Sequence, residues 1–77
     1  MSITYAKPAK KALERMEVST RQRIRAAINM LPAGDVKKLQ GQTIAYRLRV
    51  GDYRVLFDMD TEIIITNIIP RGDAYKK

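Results

Sequence analysis

The stretch Tyr46-Arg47-Leu48-Arg49-Val50-Gly51-Asp52-Tyr53-Arg54-Val55-Leu56-Phe57 decides the architecture. Its apolar residues recur at every second position on both sides of Gly51-Asp52, the period of a strand with one buried face. A glycine in the first central position between two alternating runs marks a two-residue hairpin turn of the II′ kind. With 51 and 52 as the turn, Val50 lies opposite Tyr53, Arg49 opposite Arg54, Leu48 opposite Val55 and Arg47 opposite Leu56. One face is then apolar throughout: Ile44, Tyr46, Leu48, Val50, Tyr53, Val55, Phe57 and Met59. That face needs a cover. The other collects Arg47, Arg49 and Arg54, and like charges opposed across a strand pair destabilise it by some tenths of a kcal/mol. A bound phosphate would convert this repulsion into bidentate, charge-assisted hydrogen bonds. Taken from the hairpin alone, the three side chains also fit a solvated face on which they splay apart and salt screens them.

The cover comes from the first half of the chain. Pro8 suits the first turn of a helix, and Ala9, Ala12, Leu13 and Met16 follow at helical spacing with Lys10, Lys11, Glu14 and Arg15 on the wet side. Ser19 with Gln22 reads as a capping box opening a second helix, whose apolar stripe is Ile24, Ala27, Ile28 and Leu31 before Pro32-Ala33-Gly34 ends it. The short Glu17-Val18 link makes the pair a helical hairpin. Ile3-Thr4-Tyr5-Ala6 predicts a short strand before the helices. After the turn at Asp60-Thr61, Glu62 to Ile69 predicts a third hairpin-side strand, apolar on both faces and therefore central or covered. The expected fold is a single α+β domain over residues 1–77, ordered β-α-α-β-β-β, with a mainly antiparallel sheet and the helical hairpin on one face. In this register Ile63, Ile65 and Ile69 are expected to face away from the helices, or their neighbours if the 60–61 turn shifts it.

Composition narrows the chemistry. The chain has 77 residues, 15 Lys+Arg against 8 Asp+Glu, a net charge of +7, and neither cysteine nor histidine. No disulfide, thiol nucleophile, Cys-ligated zinc or histidine-based triad is possible. The basic excess points to a polyanionic or acidic partner. The longest apolar runs fall far short of the ~20 residues of a spanning helix, and MSITYAKPAKK lacks the apolar segment of a secretory signal, so no membrane role and a cytoplasmic location are expected. Asp58-Met59-Asp60-Thr61-Glu62 fails as a calcium loop, with Ile63 where glycine is needed, and reads as a polar turn. No metal and no cofactor are expected. Tyr46 and Tyr53, on the apolar face, read as core tyrosines.

Val36-Lys37-Lys38-Leu39-Gln40-Gly41, the hairpin stretch, and Arg71-Gly72-Asp73-Ala74-Tyr75 together resemble the RelE/ParE superfamily of bacterial toxins, the toxic halves of type II toxin–antitoxin pairs. The resemblance runs over nearly the whole chain and implies the fold already read from periodicity. For the RelE-like branch it implies an mRNA interferase: an endoribonuclease that cuts mRNA on the ribosome, inhibiting translation through attack of the 2′-hydroxyl on the adjacent phosphodiester. Carried over by motif, Arg47, Arg49 and Arg54 are expected at the scissile phosphate. Arg71 and Tyr75 match the C-terminal arginine and tyrosine, the latter as proton acceptor or base-stacking group. Arginine at 47 and 49 keeps the charge but makes a poor general base, because it stays protonated. Lys37, Lys38, Arg21 and Arg25 are expected RNA contacts. The implied partners are the ribosome, mRNA and a neutralising antitoxin with an acidic segment. The alternatives are a ParE-like toxin that poisons DNA gyrase by protein contact and a non-catalytic RNA- or ribosome-binding module.

Overall fold

The protein is described from a computed structural model covering residues 2–39 and 45–70. Strand β1 (Ile3–Tyr5) leads into helices α1 (Lys7–Glu14) and α2 (Val18–Asn29). Strands β2 (Val36–Lys38), β3 (Ala45–Val50), β4 (Tyr53–Met59) and β5 (Ile63–Pro70) follow. They form one five-stranded sheet in the order β1-β5-β4-β3-β2, with β1 parallel to β5 and every other pair antiparallel. The β3–β4 register is the predicted one, Val50↔Tyr53, Arg49↔Arg54, Leu48↔Val55 and Arg47↔Leu56. Gly51 sits at φ +57° and Asp52 has no positive φ, the II′ combination.

Helices and sheet meet over a single core. Ala9 and Leu13 of α1 and Ile24 and Ile28 of α2 are buried against Leu48, Val50, Val55, Phe57, Ile63, Ile65 and Ile68. Ala12, Met16, Ala27 and Leu31 pack around them, so both helical stripes face where their spacing puts them. The Tyr46 ring stacks on Phe57 at 5.4 Å between centroids, and Tyr53 packs beside the same core. Among the described residues no helix is long and apolar enough to cross a membrane.

Three expectations are corrected. The Ser19–Gln22 capping box does not form: α2 begins at Val18 with Glu17 as N-cap and no side-chain cap. The first helical bond runs from the Arg21 amide to the Glu17 carbonyl at 2.9 Å, which leaves Ser19 inside the first turn. The Arg21 side chain instead turns back to α1, donating from Nε to the Leu13 carbonyl and from Nη2 to the Met16 carbonyl, each at 3.0 Å. It thereby adds a second donor at the Leu13 carbonyl, which already accepts from the Met16 amide at 3.1 Å, and engages the Met16 carbonyl just past the end of α1. Second, Val36–Lys38 is an additional edge strand paired with β3, too short for periodicity to reveal. Third, Ile63 and Ile65 lie in the core, fully buried. A β-bulge between Leu56 and Phe57 shifts the β4–β5 register from Leu56↔Asn67 to Phe57↔Ile65. Both Ile65 and Ile68 therefore reach the helix side, while Ile64 and Ile69 take the other. The Thr66 hydroxyl closes the irregularity by donating to the Leu56 carbonyl at 3.0 Å.

Candidate functional site

The sheet face away from the helices carries the candidate site. Alternation along β3 and β4 puts Arg47, Arg49 and Arg54 there, because their neighbours Leu48, Val50 and Val55 point into the core. Pairing across the sheet arranges this face in rows. Arg49, Arg54 and Ile69 form one; Lys37, Arg47, Leu56 and Asn67 form the next; Asp58 and Ile64 lie beyond them. The predicted three-arginine cluster is present, and β2 adds Lys37 directly opposite Arg47.

The three guanidiniums differ in environment. Arg49 is exposed, whereas Arg54 on the central strand is only 6% exposed, the one buried charged residue among those described. The Arg47 side chain is 12% exposed; its Nη1 stands 3.9 Å from the Asp35 carboxylate, which is itself largely in solvent. That separation exceeds a hydrogen bond, and Nε and Nη1 of Arg47 meet no hydrogen-bond acceptor among the described residues. Buried donors of this kind are costly until an acceptor arrives. The Asp35 carbonyl also accepts from the Arg49 amide at 3.1 Å, tying the loop before β2 to β3. Asp35 went unnoticed in the sequence because a lone aspartate after glycine signals only a turn.

The remaining candidates separate. Lys38 pairs with Tyr46 and therefore belongs to the helix-side face, away from Lys37. Arg21 and Arg25 are on α2, in the layer across the sheet from the arginine cluster. Arg25 lies over the Tyr5 ring at 5.5 Å, a cation–π contact. The Tyr5 phenol is pushed above its ordinary pKa by burial, an effect that the Arg25 charge partly offsets. Arg71 and Tyr75, like Gln40, Gly41 and Ile44, lie outside the described residues.

A helical hairpin on a mixed five-stranded sheet, with arginines gathered on the face away from the helices, defines a small basic α+β domain. Neither protein-family models nor curated proteins give a match to the sequence. Solved structures do. A RelE–RelB complex from Pyrococcus horikoshii contains a chain 31% identical, with 92% of this chain and 94% of that one covered at a TM-score of 0.73. A RelB–RelE antitoxin–toxin complex from Methanococcus jannaschii matches at 28% identity, 94% coverage of both chains and a TM-score of 0.77. The isolated Escherichia coli RelE toxin shares the fold at 11% identity, with 92% of this chain and 84% of that one covered at a TM-score of 0.73. The chain belongs to the RelE/ParE superfamily of toxins.

Proposed function

We propose that this protein is the toxin of a type II toxin–antitoxin pair and acts as an endoribonuclease on mRNA held by the ribosome. The observation that carries this reading is Arg47: a largely buried guanidinium with two donors that meet no acceptor among the described residues, in a row with Lys37 and beside Arg49 and Arg54. A phosphodiester offers the oxygens those donors lack, and charge-assisted bonds to it would offset the repulsion between Arg49 and Arg54. In the reaction the 2′-oxygen forms a bond to phosphorus and the bond to the 5′-oxygen breaks, leaving a 2′,3′-cyclic phosphate. The arginines stabilise the extra negative charge on the phosphoryl oxygens in the transition state. The 2′-hydroxyl proton passes to Tyr75 acting as its phenolate, with Arg71 as a further cation, and the departing 5′-oxygen takes up a proton from the resulting phenol or from water.

The same face suits an antitoxin. Leu56, Ile64 and Ile69 form a half-buried apolar strip bordered by the cations, so a segment both apolar and acidic would cover strip and arginines together. The test is translation of a defined mRNA with purified ribosomes, read by primer extension. Codon-positioned cuts are expected that vanish in Arg54→Ala and fall by about a hundredfold in the exposed-site variant Arg49→Gln. Intact mRNA accompanied by gyrase-dependent DNA breaks would replace this reading with the ParE-like one.

A further inference from the structure

A second basic site lies on the other side of the molecule. Tyr5, Lys10, Leu13, Glu14, Arg21 and Arg25 line a depression of about 430 Å³ where the end of β1 meets both helices. Three features make it more than a solvated helix surface. Arg21 is held in place by its bonds to the Leu13 carbonyl of α1 and the Met16 carbonyl just after it, so its charge is pre-positioned and less side-chain entropy is lost on binding. Arg25 lies over the Tyr5 ring, a contact that favours holding a second guanidinium on the lining. Lys10 and Glu14, one turn apart on the exposed side of α1, form no ion pair with each other. Leu13 and the tyrosine ring add apolar surface to the lining.

We propose that this depression docks an acidic segment of a partner protein, with a side-chain carboxylate of that segment between Arg21, Arg25 and Lys10. The mixed lining selects a peptide over a nucleic acid strand. A peptide brings backbone N–H groups for Glu14 to accept and apolar side chains for the Leu13 and Tyr5 surface. A phosphodiester strand would set successive negative charges against the Glu14 carboxylate. The site is distinct from the arginine face and does not depend on the nuclease reading. A partner reaching both would hold the protein at two points, each raising the effective concentration of the other.

The full chain, isotopically labelled, is titrated by nuclear magnetic resonance with the acetylated, amidated tetrapeptide Glu-Leu-Glu-Leu, with its Gln-Leu-Gln-Leu counterpart, and with a uridylate hexamer. Saturable shifts of the Tyr5 ring, the Leu13 methyls and the Arg25 side-chain Nε–H are expected with the acidic peptide. The glutamine peptide is expected to bind about tenfold more weakly, the loss of one charge-assisted contact. Arg25→Gln and Lys10→Gln, both exposed and away from the core, should weaken the acidic peptide to a similar degree, while Arg49→Gln should leave these shifts unchanged. Equal binding of the two peptides, shifts confined to Arg47, Arg49 and Arg54, or tighter binding of the uridylate hexamer in the depression would each overturn the proposal. The mRNA cleavage assay is scored separately, so either reading can fail alone.

Discussion

The two faces of the sheet are made from the same strands yet obey different rules. On the helix side every row is satisfied: Leu48 against Val55, Tyr46 stacked on Phe57, and Ile63, Ile65 and Ile68 sealed under α1. On the side away from the helices the rows oppose like charges, Arg49 to Arg54 and Lys37 to Arg47, and donors of Arg47 meet no acceptor among the described residues. Alternation lets one strand carry both, because the face that stabilises the fold and the face that departs from local preference never share a residue. Such departures tend to mark function, since a site needs charge and unsatisfied donors that a core excludes.

The sharpest way to break this division is to damage each face and ask which property fails. Phe57→Ala removes the largest buried side chain and the partner of Tyr46, and should cost about 3–5 kcal/mol. A domain this small holds only about 5–10 kcal/mol in all, so the urea midpoint should fall by a third or more of its value. Arg49→Gln touches the other face. Cleavage should drop by about a hundredfold through loss of transition-state charge stabilisation, while the urea midpoint stays level or rises slightly as the repulsion with Arg54 is relieved. If Arg49→Gln destabilised the protein as Phe57→Ala does, the arginine face would be structural and the contrast would collapse.

The turn that joins the two arginine strands comes next in size. Gly51→Ala places a Cβ at φ +57° and also where Nη2 of Arg23 now lies. Arg23 has a long, exposed side chain and can move aside, so the left-handed backbone sets the cost, about 1 kcal/mol. Gly51→Asn, which tolerates that backbone, should lose less, measured by urea unfolding. A larger loss in activity than in stability would mean that the turn also aims Arg49 and Arg54.

How legible each face was follows from the kind of signal it sends. The hairpin register, both helical stripes and the arginine cluster are repeating patterns, and repetition at period 2 or 3.6 survives in sequence alone. What escaped is what breaks a pattern. The bulge at Leu56/Phe57 moved Ile63 and Ile65 into the core, because a run of isoleucines looks the same in either register. Strand β2 is three residues long and sends no period, so Lys37 could be named but not placed opposite Arg47. The expected cap at Ser19 gives way to Glu17 because α2 begins one residue ahead of it, and the tie between the helices comes from Arg21, a residue expected as an RNA contact. Arg21 and Arg25 share the basic character of the hairpin arginines, and composition does not reveal that the sheet stands between them.

That last point has a small, clean test. Burial raises the Tyr5 pKa and the charge of Arg25 pulls it partly back, so in the folded protein the neutral phenol is the favoured form. Below the ordinary phenol pKa of about 10 the group is neutral whether folded or not and adds no pH dependence. As pH rises through that value the unfolded chain ionises first, and Tyr5 begins to draw stability away until its own, higher pKa is passed. Removing the neighbouring charge in Arg25→Gln should push the Tyr5 titration further up, read from its ring carbon shifts in an alkaline series. Arg49→Gln removes the same charge from the opposite face and should leave that titration where it is. Screening by salt and distance across the sheet is what separates the two outcomes; equal shifts in both variants would show that the sheet does not insulate one basic surface from the other.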